Sequence, residues 1–129
     1  MMNKKEKFLK ILYKEVNKLP RVMKIENTLE AKQELVGGLI EVIPYMDALL
    51  VCNEEGKILN MNANLLFNYD YIAGDCFVVG DDYKNGDFKS LTNEQIEKFT
   101  RDFIERSVKE KTSENIQVSK NTAKGTRSR

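Results

Sequence analysis

Side chains that can bind a ligand through hydrogen bonds or charge are concentrated between residues 53 and 64. Amides and carboxylates at the ends of strands can bind a nucleotide base or a peptide backbone. The same groups also satisfy the backbone of turns. We expect any functional surface of the chain to lie first of all in this stretch. The candidate ligand-binding or partner-binding residues are Asn53, Glu54, Lys57, Asn60, Asn62 and Asn64.

A second polar stretch, residues 81–87, carries three aspartates in a turn-rich loop. Carboxylate oxygens are the ligands that Mg²⁺ and Ca²⁺ prefer. The loop lacks the spacing of a calcium-binding loop, and Asp75 lies ~20 Å from Asp81 along the extended strand between them. We therefore predict no metal site and interpret the loop as a solvated acidic turn. Asp81 and Asp82 remain candidate partner-binding residues.

Groups that catalyse reactions near neutral pH are scarce in this chain. It contains no histidine, the usual general base and the commonest metal ligand. Cys52 and Cys76 each lie within an apolar run, as buried free thiols do. Gly37 and Gly38 follow a predicted helix, whereas glycines that bind phosphate precede one. We predict no catalytic residue and no cofactor, so the sequence favours a binding protein over an enzyme.

The net charge of +1 is distributed unevenly along the chain. Residues 1–20 carry six basic and two acidic side chains, and residues 109–129 carry the same numbers, so each end has a charge of +4. Residues 21–108 carry nine basic and sixteen acidic side chains, which gives −7. Basic ends around an acidic body are found in proteins whose arms contact nucleic acid, and more commonly as solubilising flanks.

Two helices are predicted from their capping residues and apolar spacing. The first spans residues 28–37, with Asn27 as its N-cap and a pair of glycines at its end. The second spans residues 92–106, where Thr92 and Gln95 form a capping box and apolar residues recur every three or four positions.

Apolar runs bounded by turn residues predict strands at 39–44, 48–53 and 75–80. Residues 60–70 are rich in asparagine, which predicts an irregular connection whose apolar side chains point inward.

The secondary structure of the stretch before Pro20 is ambiguous. Phe8, Leu12, Val16 and Leu19 recur at helical spacing, but KFLKILYKEV also reads as a strand followed by a turn.

Length and composition indicate a single α+β domain. A chain of 129 residues with 41% hydrophobic residues can bury a modest core without a metal or disulfide. We expect a small, mostly antiparallel sheet of about five strands, which together with the two helices occupies residues 8–107. Residues 1–7 are expected to be an N-terminal extension. Residues 108–129 are expected to be a disordered basic tail, because they carry too few apolar side chains to offset ordering entropy.

The sequence predicts a cytoplasmic protein that does not enter a membrane. No run approaches the ~18 apolar residues that a spanning helix needs. Lys10 and Lys14 interrupt the apolar stretch near the N-terminus, and no small-residue cleavage site follows, so a secretory signal is not indicated.

Four blocks of the chain, in order, carry a resemblance to a known family. They read ENTLEAKQELVGGLIEVIP, LLVCNEEGKILN, YIAGDCFVVGDD and GDFKSLTNEQIEKF. Together they resemble a family of uncharacterised proteins of bacteriophages and conjugative elements, mainly of Firmicutes, known only as a domain of unknown function. The resemblance implies that KFLKILYKEV is a strand, against its helical spacing, and that the chain comes from a mobile genetic element. It implies no catalytic residue.

Three hypotheses about function follow. The first is a non-enzymatic accessory protein that binds a host macromolecule, for example an anti-defence inhibitor whose acidic body occludes a basic surface of a host protein. The second is a protein that binds or sequesters a nucleotide. The third is nucleic-acid binding through the basic ends. A homodimer is a further possibility, because a small sheet has exposed edges that can pair.

Overall fold

The structure, a computed structural model, describes residues 5–108. Within that range it contains the α+β fold predicted from the sequence, with two helices and a mostly antiparallel sheet. The strands are β1 Phe8–Lys14, β2 Arg21–Glu26, β3 Ile40–Tyr45, β4 Ala48–Asn53, β5 Ala63–Phe67, β6 Asp70–Ala73, β7 Cys76–Asp82 and β8 Asp87–Lys89. The helices are α1 Leu29–Val36 and α2 Asn93–Arg106.

The main sheet is built around β7. Its strand order is β2-β1-β7-β4-β3, and every neighbouring pair is antiparallel. The last residues of β7 also pair with β8, opposite Lys89, Phe88 and Asp87. Strands β5 and β6 form a separate two-stranded hairpin. In the part of the chain that the structure describes, β2 and β3 are therefore the edges of the main sheet.

Both faces of the main sheet are covered. Phe77 and Val79 of β7 belong to the cluster that includes Val36 of α1, on one face. Cys76 and Val78, which alternate with them, belong to the cluster on the other face. There the covering groups are Phe99 and Phe103 of α2 and Leu65 and Ile72 of the β5–β6 hairpin. The buried run of β7 is thus continuous because side chains on both of its faces are packed.

The stretch predicted ambiguously between helix and strand is strand β1. Its buried residues include Leu9, Ile11 and Tyr13, which alternate along the strand. Two residues of the helical pattern, Phe8 and Leu19, are 48% and 75% exposed. The helical spacing was misleading because a step of four residues also returns to the same face of a strand. The resemblance indicated the right element.

The two predicted helices are confirmed, with one correction to their caps. In α2 the capping box is present: Gln95 N donates to Thr92 Oγ1 at 3.1 Å, and Thr92 N donates to Gln95 Oε1 at 2.9 Å. In α1 the N-cap is Thr28, whose Oγ1 accepts a hydrogen bond from Ala31 N. Asn27 does not cap the helix, since its side chain donates to Glu6 O and accepts from Lys32 Nζ.

The prediction of an irregular connection over residues 60–70 is wrong for most of that stretch. Residues 63–67 form β5, which returns as β6 through the pairs Leu66↔Tyr71 and Phe67↔Asp70. The register is irregular between Ala63 and Leu65. Asn64 is the residue at this irregularity, so a poor strand former occupies the one position where regular pairing is interrupted.

A buried lysine–asparagine pair joins the β5–β6 hairpin to β1. The Lys14 side chain is only 1% exposed, and its ammonium donates to Asn64 Oδ1 and to Glu15 O, both at 2.8 Å. The Asn64 amide donates in turn to Lys14 O and Gly74 O at 2.8 and 2.9 Å. Burial lowers the pKa of Lys14, because desolvation disfavours its charged form. The pair is therefore satisfied by amide and backbone oxygens.

Part of the predicted N-terminal extension, residues 1–7, is within the described residues. Residues 1–4, and all of the predicted tail 108–129 except Val108, lie outside the described residues. Glu6 and Lys7, from the predicted extension, contact the domain: the Lys7 carbonyl accepts from Asn27 N at 2.8 Å, and Glu6 Oε1 accepts from Ser90 N at 2.7 Å.

Replacing Asn64 with alanine is expected to destabilise the protein by about 2–4 kcal/mol, because the buried Lys14 ammonium and two backbone carbonyls lose their partner. The matched control is Asn62→Ala, at an exposed side chain, which is expected to change the free energy of unfolding by no more than about 0.5 kcal/mol. Urea denaturation of the three proteins measures both values. Equal effects of the two substitutions would contradict the role given to Asn64.

Candidate functional site

A groove lies between the β3–β4 pair and the β5–β6 hairpin, and its volume is about 370 Å³. The turn that follows β4, residues 54–58, closes one end. A smaller hollow of about 170 Å³ next to it is also lined by Ile43, Tyr71 and Ile72, so the two form one continuous depression along β3. We refer to it as the β3 groove.

The floor of the β3 groove is apolar. Cys52, Ile72 and Ala73 are each less than 10% exposed, and Ile43 packs against the same core cluster. Gly56 also lines the groove. A side chain would not fit at this position, since a Cβ there would lie 2.6 Å from the carbonyl oxygen of Ala73. The close approach of the turn to β6 is what gives the groove its closed end.

The rim of the β3 groove is charged and exposed. Glu41, Glu54 and Asp70 contribute three carboxylates and Lys57 one ammonium, so the lining carries a charge of −2 when all are ionised. Lys57 forms an ion pair with Asp70, and the carboxylate raises the pKa of the lysine. The Lys57 ammonium also lies 4.6 Å from the centre of the Tyr71 ring. Within residues 5–108, the one cation of the rim is therefore already paired with Asp70.

Helix α2 holds the hairpin wall in place. The Arg106 guanidinium lies 4.3 Å from the centre of the Phe67 ring and donates to Leu66 O at 3.2 Å. Asp102 accepts from Arg106 Nε at 2.8 Å, and it also accepts a hydrogen bond from the Tyr45 hydroxyl at the end of β3. Burial, followed by the Asp102 contact, raises the pKa of Tyr45, so this hydroxyl remains a donor. Both walls of the groove are thus attached to one helix.

Of the candidate residues from the sequence, the structure brings Asn53, Glu54 and Lys57 together at the β3 groove. Glu54 and Lys57 are exposed to solvent. The Asn53 side chain is 5% exposed and is used internally, since its Oδ1 accepts from Glu55 N at 2.7 Å and its Nδ2 donates to Val36 O at 3.1 Å. Asn53 therefore builds the turn that positions the other two.

The other candidates lie elsewhere. Asn60 has a positive φ of 60° in the turn, Asn62 borders a separate hollow near Tyr13 and Met61, and Asn64 is buried. Asp81 and Asp82 are on the β7–β8 hairpin, where Asp82 accepts from Asn85 Nδ2. None of these five residues lines the β3 groove.

Three rim residues, Glu41, Asp70 and Tyr71, were not identified from the sequence. Glu41 sits on a strand that was predicted correctly, but the sequence signal that this strand is an edge, Pro44 within it, was not used. Asp70 and Tyr71 were missed because the hairpin was read as irregular. A signal for the hairpin exists, because the apolar residues of LLF and YIA flank the turn formers Asn68 and Asp70.

Residues 5–108 contain no cluster of metal-ligating side chains and no helix suited to span a membrane. In this range, three or more Cys, Asp or Glu side chains do not come together in a way that could hold a metal ion. Neither α1 nor α2 has the length and apolar character of a membrane-spanning helix.

Residues 9–104 match a family model described as Domain of unknown function (DUF3846). The match covers most of the chain, and the protein belongs to this family. Comparison with curated proteins and with solved structures gives no match.

The thiol in the floor of the β3 groove is held protonated. Burial, and then the negative charge of Glu41, raise the pKa of Cys52 to about 11. Its Sγ lies 4.0 Å from Glu41 Oε1. The second thiol, Cys76, is fully buried, and burial raises its pKa further. Since the thiolate is the nucleophile, neither cysteine is suited to covalent catalysis near neutral pH.

Alkylation of Cys52 is expected to follow this raised pKa. At pH 8 a thiol of pKa about 11 has about a hundredfold less thiolate than one of pKa 9.0, so iodoacetamide should react correspondingly slowly and accelerate until about pH 11. Mass spectrometry separates Cys52 from Cys76, and the denatured chain is the reference. Glu41→Gln is expected to lower the midpoint. A native rate that reaches its plateau below pH 9 would contradict the assignment.

Proposed function

We propose that the chain is a non-enzymatic accessory protein of a bacteriophage or conjugative element, which acts in the host cytoplasm by binding a host protein at the β3 groove. The observation that carries this proposal is the composition of the groove: an apolar floor surrounded by exposed charged and aromatic side chains. Protein-binding sites have this arrangement of apolar centre and polar rim.

Exposed apolar side chains next to the groove support the same proposal. Ile58, on the closing turn, is 81% exposed, and Tyr71, on the hairpin wall, is 38% exposed. Leu59, which follows Ile58, is 55% exposed, and Tyr69, two residues before Tyr71, is 100% exposed. A few residues, often tyrosine, tryptophan or arginine, contribute most of the binding free energy in many protein interfaces, and Tyr69 and Tyr71 are of this kind.

Charge indicates the kind of host protein. Residues 21–108 carry −7, and all sixteen acidic side chains in that range are at least partly exposed. An acidic surface speeds encounter with a basic one and disfavours acidic partners. We infer that the partner presents a basic surface, as a nucleic-acid-binding protein of host defence or regulation does, and that the bound chain occludes it.

A nucleotide is a poorer fit to the same groove, although its volume of about 370 Å³ would suffice for a small molecule. Phosphates carry negative charge, and the rim has three carboxylates against one lysine that is already paired with Asp70. The amide of Asn53, which could have bound a base, is used within the turn.

The direct test is affinity capture from host lysate at low salt with the full-length protein. A specific host protein is expected to be retained, and the pair of substitutions Glu41→Lys and Glu54→Lys should reduce its recovery at least tenfold. The matched control, Glu97→Lys with Glu105→Lys, changes the net charge equally at exposed positions of α2 outside the groove. Retention of no specific protein, or equal loss in both variants, would contradict binding at the groove.

Thermal-shift measurements with nucleoside triphosphates and cyclic dinucleotides are expected to show no stabilisation. A nucleotide present at a hundred times its Kd would add about 2.7 kcal/mol, which for a domain of this size raises the melting temperature by more than about 10 °C. A shift of that size, abolished by Lys57→Ala, would contradict the proposal and favour a nucleotide-binding protein.

A further inference from the structure

Strand β3 presents unpaired backbone groups beside the groove. The two-residue turn Met46–Asp47 joins Tyr45 to its partner Ala48, and Glu54 N donates to Leu39 O at 2.8 Å. In an antiparallel ladder, alternate residues of a strand direct their N–H and C=O to the same neighbour. The odd-numbered residues of β3 therefore bond to β4, and the even-numbered ones direct their backbone groups outward.

The outward groups belong to Ile40, Val42 and Pro44. Ile40 and Val42 each offer one N–H and one C=O, whereas Pro44 has no N–H and offers only its carbonyl oxygen. Among the described residues, no backbone hydrogen bond to the outer side of these three is found. Proline is tolerated there because the N–H it lacks would have pointed away from β4. An extended chain could thus pair with β3 along residues 40–44.

The side chains that β3 directs toward the groove belong to the residues between Ile40, Val42 and Pro44. Glu41 and Ile43 lie on the face of the sheet that carries the hairpin, opposite Cys52 and Leu50 of β4. A strand added outside β3 would continue this alternation. Every second side chain of the added strand would then lie over the groove, near the Tyr71 wall and the carboxylates of the rim.

We propose that the host protein is bound through an extended segment that pairs with β3 as an additional strand of the sheet. The side chains of the segment that face the groove, two residues apart along it, are β-branched or aromatic next to Ile43 and Tyr71, and lysine or arginine next to Glu41 and Glu54. The charge of −2 on the rim determines the basic character of the segment. This inference rests on the proposed function, because it specifies how the same groove is occupied.

Strand addition is tested with a peptide instead of the unidentified host protein. Random 12-residue peptides displayed on a carrier are selected against the full-length protein, and one enriched peptide is synthesised. We expect the enriched sequences to place lysine or arginine two residues away from a β-branched or aromatic residue, so that both lie over the groove. Selection that yields no binder, or yields acidic binders, would overturn the proposal.

The decisive variant is Val42→Pro. It removes one outward N–H and places a ring against the added strand, yet it leaves the bonds between β3 and β4, as Pro44 already does. We expect the Kd of the selected peptide to rise at least tenfold. The matched control, Val42→Thr, keeps the N–H and should change the Kd less than threefold. Loss of affinity in both variants would show that the side chain matters and would overturn strand addition.

Amide hydrogen exchange of the unmodified protein gives an answer that does not depend on how Val42→Pro folds. The N–H groups of Ile40 and Val42 are expected to exchange rapidly in the free protein and at least tenfold more slowly with the peptide bound. Unchanged exchange at both positions would overturn the inference.

The same peptide separates this inference from the proposed function. If Glu41→Lys with Glu54→Lys abolishes binding but Val42→Pro does not, the groove binds a protein segment without strand addition, and only the inference fails. If neither substitution affects binding, both fail.

Two other occupants of β3 are distinguished by separate measurements. If sedimentation shows a dimer that Val42→Pro dissociates, the edge is occupied by a second copy of the chain. A tenfold gain in peptide affinity on replacing the lysines of residues 109–129 by glutamine would assign it to the chain's own basic end. Either result would overturn the proposal.

Discussion

The requirement that β7 be buried on both faces determines the arrangement of the other elements. All of residues 76–80 are buried, so each face of this strand needs a covering layer. Helix α1 packs on one face, where Ile25 of β2 and Phe88 of β8 contribute to the same cluster as Phe77 and Val79. The opposite face needs both α2 and the β5–β6 hairpin, whose Leu65 and Ile72 enter the core. The β3 groove is formed because the hairpin contacts β4 and leaves β3 uncovered.

The polar groups that this packing buries form hydrogen bonds, and these bonds hold the walls and the closing turn of the groove in position. The Lys14–Asn64 pair holds the start of the hairpin against β1, and Asn53 shapes the turn that closes the groove. At the other end, Asp102 joins Tyr45 of β3 to Arg106, which stacks on the hairpin. Apart from the contact between Asp102 and Arg106, which lie one turn apart in α2, these contacts join elements far apart in sequence. A rigid apolar floor with an exposed charged rim is the result, and such preorganisation lowers the entropic cost of binding.

The elements with strong local signals could be predicted from the sequence. The capping box at Thr92, the glycine after Val36 and the apolar runs of β4 and β7 each specify an element through neighbours within a few residues. The errors arose where a local pattern fitted two structures. Helical spacing before Pro20 also fits a strand, and asparagines between apolar residues fit both a loop and a bulged hairpin.

The candidate site was predictable only in part, for the same reason. Glu54 and Lys57 were found because they lie in one turn. Their partners Glu41 and Asp70 come from other strands, and the register that brings them together is set by tertiary packing. The asparagines were candidates because of their residue type, but the buried amides of Asn53 and Asn64 serve a turn and a lysine, and the exposed Asn60 and Asn62 lie outside the groove. Residue type identifies groups able to bind, whereas burial decides which of them are available.

Site-specific photocrosslinking in host cells tests the central claim, binding at the β3 groove, most directly. A photoreactive phenylalanine analogue is placed at position 58, beside the groove, or at position 83, on the loop between β7 and β8; Ile58 and Tyr83 are 81% and 75% exposed. The account predicts a covalent adduct with a host protein from position 58 and none from position 83. An adduct from position 83 alone, or equal adducts from both positions, would contradict it.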